Sequence, residues 1–325
     1  MNYLPKNLSF KEGVAYIGET SLIDIAKNYG TPLYVYDWEH LKENINVFTD
    51  AFGNDTLFRY AAKAFISKAL VKELDEEGWG IDVVSGGEMA TVHETVGTLK
   101  NTVFNGTFKR TDEIEYFIQN NGGHISIDNR YEIDMLDKVA STLNKKQQVI
   151  MRINLDVGAE THPMVLTSGY DQQFGISIGF AEEALDQIAS SKSLLFSGIH
   201  VHVGSQIKDP KRYKLAMTSC ADFMNTHLEK VEGEAVFNAG GGFFSPYAGD
   251  EVDYELSVYS QAIHDGVKEH WSKAYKVMIE PGRALVNNPG VILYTAGAIK
   301  SDRGEKPYIL VDGGMSDNPR PALYG

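Results

Sequence analysis

The chain has 325 residues, 43% hydrophobic and 23% charged, enough apolar material for one large or two moderate domains. Its 30 basic and 44 acidic residues leave a formal charge of −14, which argues against a nucleic-acid groove or an anionic membrane as main partner but permits a small local anion site. The single cysteine, Cys220, excludes an intrachain disulfide framework, and with no apolar run of about 18 residues and no basic-then-apolar leader the expectation is a soluble, cytoplasmic protein.

Residues 1–38 read as an opening segment with strands of its own. SFKEGVAYIG alternates around a turn at Glu12-Gly13, SLIDIAKNYG is a short helix ending at Gly30, and TPLYVYD is a strand. WEHLKENINVFTDAF then carries Leu41, Ile45, Phe48 and Phe52 at helical spacing.

From Leu57 a unit repeats. LFRYAAK ends in Lys63, WGIDVV carries Asp82, KNTVFN ends in Asn105 and HISID in Asp128. QVIMRIN ends in Asn154 after Arg152, SGIHVHV carries His202, EAVFN ends in Asn238 and AYKVMIE in Glu280. Each is a short apolar run whose last inward position is polar, and all but the last lead into a helical pattern such as SKALVKELDEEG or AEEALDQIASS. Eight strands alternating with helices, without a glycine-rich dinucleotide turn, predict a (β/α)8 barrel over residues 39–285. The strand ends of such a barrel converge on one mouth. Taken singly, each of these polar residues is equally a loop contact, and Asp82 and Asp128 read as well as helix caps. Read alone, Lys63 is most simply a solvated or salt-bridged lysine at a strand end; buried among alanines it would need a partner or a covalent use.

After Glu280 the pattern turns to strands, with turns at Asn288-Pro289, Arg303-Gly304 and Gly313-Gly314 and no helical stretch. Residues 286–325 with residues 1–38 therefore form a second, β-rich domain. About 40 residues of strands make a poor core alone, so the expectation is that a C-terminal portion is missing.

Three motifs carry chemistry. FNAGGGF, with Gly240, Gly241 and Gly242 directly after a strand, is a tight turn or a nest of amides for a phosphate. HVHVGSQ offers His200, His202 and the Ser205 hydroxyl; no third ligand at metal spacing accompanies the histidines, and His200 reads equally as core. IEPGRAL sets the Glu280 carboxylate at a strand end with Gly282 and Arg283 behind it, a structural salt bridge or, beside a phosphate nest, an anion clamp. A lysine, an anion nest, an imidazole and a buried carboxylate together suit pyridoxal phosphate (PLP), with its aldehyde, phosphate, flat ring and basic nitrogen.

RYAAKA, DVVSGGE, HVHVGSQ, NAGGG, EPGR, VDGGMSD and RPALYG, in that order, resemble the fold-type III PLP-dependent decarboxylases, most closely those acting on diaminopimelate. The resemblance implies that Lys63 bonds the cofactor, with Asp82 beside it, that His202 stacks on its ring and that Glu280 pairs with the ring nitrogen. It further implies that Ser205, Gly240, Gly241, Gly242, Gly282 and Arg283 hold the phosphate, and that Arg283, Arg320 and Tyr324 contact substrate. The implied activity is decarboxylation of meso-2,6-diaminopimelate to L-lysine by a homodimer with sites at the interface, with no metal. An arginine at position 320 suits a substrate with a second carboxylate.

The pattern departs from the family in places. Gln173 stands where a lysine usually precedes Phe-Gly, and NGTFKRTDE differs from the usual Gly-Asn-Asn-Lys run. The family's Cys-Glu-Ser motif, its proton donor, and a downstream tyrosine do not occur in these 325 residues, and Cys220 lies in a helical pattern. Other readings therefore stay open: a related decarboxylase acting on ornithine, arginine or a carboxylated polyamine, or a non-catalytic PLP-binding homologue. A racemase is disfavoured, because racemases of this fold carry arginine where Glu280 stands.

Overall fold

In the computed structural model, residues 3–155, 173–246, 255–301 and 306–319 are described. Eight parallel strands close into a barrel: β1 (Leu57–Ala61), β2 (Gly80–Val83), β3 (Thr102–Phe104), β4 (His124–Ile127), β5 (Gln147–Asn154), β6 (Leu194–His200), β7 (Ala235–Asn238) and β8 (Tyr275–Ile279). Neighbours in sequence pair around the ring, and β8 closes on β1 through Met278↔Leu57 and Ile279↔Phe58. A two-residue strand, Ile176–Ser177, which the apolar pattern does not announce, adds to β5.

Helices follow the strands as the periodicity predicts: Lys68–Glu76, Gly86–Val96, Thr111–Gln119, Tyr131–Thr142, Ala181–Ser190, Lys211–Thr226 and Leu256–Lys268. Ser67 and Ser85 start two of them, each accepting a backbone N–H of the first turn. Asp82 is therefore not a cap. Past β8, where no helix is predicted, four residues, Arg283–Val286, form one. The proline and glycine of EPGR break the apolar period there, and a single turn leaves no periodic trace.

The N-terminal segment folds as read. Leu8–Lys11 and Val14–Ile17 form a hairpin around Glu12 and Gly13, both at positive φ, and Thr20–Ser21 adds a third strand. Leu33–Tyr36 pairs antiparallel with Gly290–Leu293, so residues from the two ends of the described chain share a sheet. Ala296–Lys300 pairs with Tyr308–Val311, and the Arg303-Gly304 turn between them lies outside the described residues. The chain divides into two compact units, residues 47–245 with 253–284, and residues 1–46 with 246–252 and 285–325.

Against the barrel wall, Phe48 is 2% exposed and meets Trp79 and Phe243 edge-on, at centroid distances of 6.1 and 5.5 Å. Truncating such a ring leaves a cavity that its aromatic neighbours cannot fill. Phe48→Ala is expected to cost about 3–5 kcal/mol of unfolding free energy, read from the urea midpoint. A loss under about 1 kcal/mol would contradict this account of the packing.

Candidate active site

Strand β1 stops at Ala61, and Lys63 lies in the single turn of 3-10 helix that follows, Ala62–Ala64. The amine is thus not buried among alanines. Its side chain is 56% exposed, whereas the Asp82 side chain is fully buried with Oδ2 at 3.3 Å from Lys63 Nζ. The Asp82 charge raises the Lys63 pKa, against the opposing effect of burial. Burial raises the Asp82 carboxyl as well, more than Lys63 and Asn105 lower it. With the amine half exposed and the carboxylate fully buried, the Asp82 charge outweighs burial at Lys63 and burial outweighs the Lys63 charge at Asp82, so both shifts are upward.

The Asn105 amide links this pair to Glu280. Its Nδ2 donates to Asp82 Oδ1 at 2.7 Å and to Glu280 Oε1 at 2.8 Å. Asn238 Nδ2 donates to the same Glu280 oxygen at 2.6 Å, and His200 Nε2 lies 3.3 Å from Oε2. Burial alone would raise the Glu280 pKa, but the His200 charge and contact, the Lys63 charge and the Asn238 hydrogen bond hold it well below the usual carboxylate range. Glu280 is therefore a dry group that stays ionised. The buried Asn105 Oδ1 has no hydrogen-bond partner among the described residues, an open acceptor within the network.

The glycine turn packs beside it. A side chain at Gly241 would meet the Glu280 carbonyl at 2.3 Å, and one at Gly242 the Gly204 carbonyl at 2.0 Å. Gly240 and Gly242 also hold positive φ, so the close approach requires glycine. The Gly240 amide donates to Asn238 Oδ1 at 2.9 Å and the Gly241 amide to His202 Nδ1 at 3.3 Å. Two of the three glycine amides thus orient side chains of the site. Burial, then the charges of Lys63 and Arg152, push the His202 pKa down to about 3, leaving a neutral imidazole.

The remaining predicted residues follow the same strand ends. Ser205 is exposed in the loop after β6, and Arg283 opens the short helix after β8. A Cβ at Gly282 would lie 3.1 Å from that of Ala61, whose amide donates to the Pro281 carbonyl, so the EPGR turn is laced to the end of β1. Arg320 and Tyr324 lie outside the described residues. Asp128 is no cap either: its Oδ1 lies 3.5 Å from Arg152 Nη1 and accepts the Gly175 amide, while Arg152 sits 4.9 Å over the Phe174 ring. Within NGTFKRTDE, Lys109 is buried and pairs with Glu132 at 3.0 Å. Sequence reasoning gives His200 no site role, and leaves Asn105 and Asn238 as unassigned strand ends. Their polar terminations were the available signal.

Residues 38–287 match the sequence profile of the pyridoxal-dependent decarboxylases, pyridoxal binding domain. The chain belongs to that family. Among curated members, the diaminopimelate decarboxylases of Bacillus methanolicus and Bacillus subtilis are each 36% identical over 324 residues, covering 97% of this chain and 75% and 74% of theirs. The crystal structure of diaminopimelate decarboxylase from M. jannaschii in complex with L-lysine superposes with a TM-score of 0.90 at 30% identity, covering 100% of this chain and 77% of that one. Among the described residues, no helix is long and apolar enough to cross a membrane.

The depressed His202 pKa has a consequence for acid stability. An unfolded histidine binds its proton near 6.5 and the folded one only near 3, so the stabilising contribution is complete above 6.5 and is lost as pH falls through that window. Its slope is at most about 1.4 kcal/mol per pH unit. His202→Phe is expected to flatten the loss of stability between those limits, measured by denaturant unfolding at several pH values. An unchanged slope would show that His202 is not held neutral.

Proposed function

We propose that this chain is a PLP-dependent decarboxylase that removes CO2 from meso-2,6-diaminopimelate and leaves L-lysine, acting as a homodimer in the cytoplasm. The observation that carries this reading is the unbroken run of contacts from Lys63 through Asp82 and Asn105 to an ionised Glu280. The names of the curated relatives favour diaminopimelate over ornithine, arginine or a carboxylated polyamine.

The residues present fit the cofactor. An amine suits its aldehyde, a buried charged carboxylate its ring nitrogen, a neutral imidazole its ring face, and a glycine turn with a nearby arginine its phosphate. Lys63 would hold it covalently, Glu280 its nitrogen and His202 its ring. Ser205, Gly240, Gly241, Gly242, Gly282 and Arg283 would hold its phosphate. Arg283, Arg320 and Tyr324 are the proposed substrate contacts.

When bound, PLP supplies an electron sink for the pair left behind as CO2 departs. Glu280, ionised in the barrel, would stabilise a proton on the cofactor's ring nitrogen, which would strengthen electron withdrawal. Asp82 gives the free Lys63 ammonium a partner at 3.3 Å, so the amine stays within reach when it is not bonded. His202, being neutral, offers a flat face without adding a positive charge that would compete with Glu280.

Lys63→Ala is expected to abolish the visible absorbance of lysine-bound PLP; a band of undiminished intensity would overturn the central assignment. Glu280→Gln is expected to retain PLP yet lose about tenfold or more in kcat, since the ring proton loses its counter-charge. CO2 release from meso-diaminopimelate and from ornithine, measured side by side, tests the substrate, and faster release from ornithine would sink the diaminopimelate assignment.

A further inference from the structure

A carboxylate offers about four lone-pair sites to donors. On Glu280, Asn105 and Asn238 fill both sites of Oε1, at 2.8 and 2.6 Å. His200 faces the other oxygen. Its side chain is 2% exposed, Nε2 is 3.3 Å from Oε2, and Nδ1 is 2.9 Å from the hydroxyl of Ser126, itself buried on β4. The Nε2 approach is an ion-pair contact without hydrogen-bond alignment, so Oε2 is not saturated.

The Ser126 contact restricts the protonation state. If the hydroxyl donates to Nδ1, the neutral ring carries its proton on Nε2; if the ring is charged, both nitrogens carry one. An N–H faces Glu280 in either case. The remaining tautomer would set a nitrogen lone pair against a carboxylate lone pair. Lys63, Asp82, Arg59 and His202 also act electrostatically on or with Glu280. Among the described residues, His200 is the one of these titratable groups within ion-pair distance of it.

We propose that His200 is a positioning residue for Glu280, oriented by Ser126 so that its Nε2–H faces Oε2 as an electrostatic partner and leaves that oxygen to accept a single incoming N–H. This rests on the PLP reading, in which that N–H belongs to the cofactor ring. Two amide donors and the imidazole N–H facing Oε2 then turn the carboxylate and keep it charged.

The test uses the full chain reconstituted with PLP, in four forms: unsubstituted, His200→Phe, His200→Gln and Ser126→Ala. Phenylalanine keeps a ring of similar size and removes the N–H, whereas glutamine keeps an N–H. Loss of this N–H facing a buried charge should weaken PLP binding about 10- to 100-fold in His200→Phe, measured by equilibrium dialysis. In the same variant kcat should fall with KM little changed, and the acidic limb of kcat should move to higher pH, because Glu280 loses a donor that favours its charged form. His200→Gln should recover most of each effect, and Ser126→Ala should show a smaller shift in the same direction. Equal impairment in the phenylalanine and glutamine variants would reduce His200 to packing and overturn the proposal. So would PLP affinity and an acidic limb unchanged within about twofold in His200→Phe or, should that variant fail to fold, in Ser126→Ala. If the unsubstituted protein shows no PLP binding, it is the PLP reading itself that fails.

Discussion

Two carboxylates, Asp82 and Glu280, are buried in one barrel, and a single amide, Asn105, touches both. Each charge makes the other harder to keep, and the Glu280 charge contributes to raising Asp82. The molecule resolves the conflict by dividing the surroundings unequally. Glu280 has two amide donors and an imidazole, while Asp82 has one amide and a lysine whose far end is wet. Their pKa values are driven apart, one group favouring protonation and the other holding its charge. Neighbouring groups separated in this way are suited to different tasks at the same pH. Asp82 lies beside an amine with its own pKa raised, and Glu280 keeps its charge among its donors.

The fold supplies the distances by leaving side chains out. Gly241 allows the turn after β7 to lie against the Glu280 carbonyl, and Gly282 allows the turn after β8 to lie against Ala61. With the Pro281 carbonyl accepting the Ala61 amide, the start of the Lys63 turn and the end of the Glu280 strand are tied by backbone. That seam is where β8 pairs with β1, so the pairing that closes the barrel also brings together the turns carrying Lys63 and Glu280.

Most of the barrel was readable because buried parallel strands are largely apolar along their length and turn polar toward their ends. The rule located all eight strands and, with them, Lys63, Asp82 and Glu280. It misjudged Lys63 by two positions, since alanines continue an apolar run whether or not the strand does. Asn105 and Glu280 were visible as strand ends, but their contact spans 175 residues, and which ends meet across a barrel depends on tilt and stagger rather than on local pattern. His200 was hidden for a different reason: a histidine inside an apolar strand looks the same whether it fills space or serves a carboxylate. Only the partners, Ser126 and Glu280, separate the two.

The pairing of Leu33–Tyr36 with Gly290–Leu293 sets an order in time. During synthesis, at about 5–20 residues per second, the first of these strands waits on the order of ten seconds or more for its partner. Strand β1 waits almost as long for β8. Until then both expose backbone groups that nothing local can satisfy, and such edges are templates for pairing with another chain. A nascent copy of this protein is therefore most exposed to misassembly while these strands await their partners, and slowing translation of the segment between them would prolong that interval.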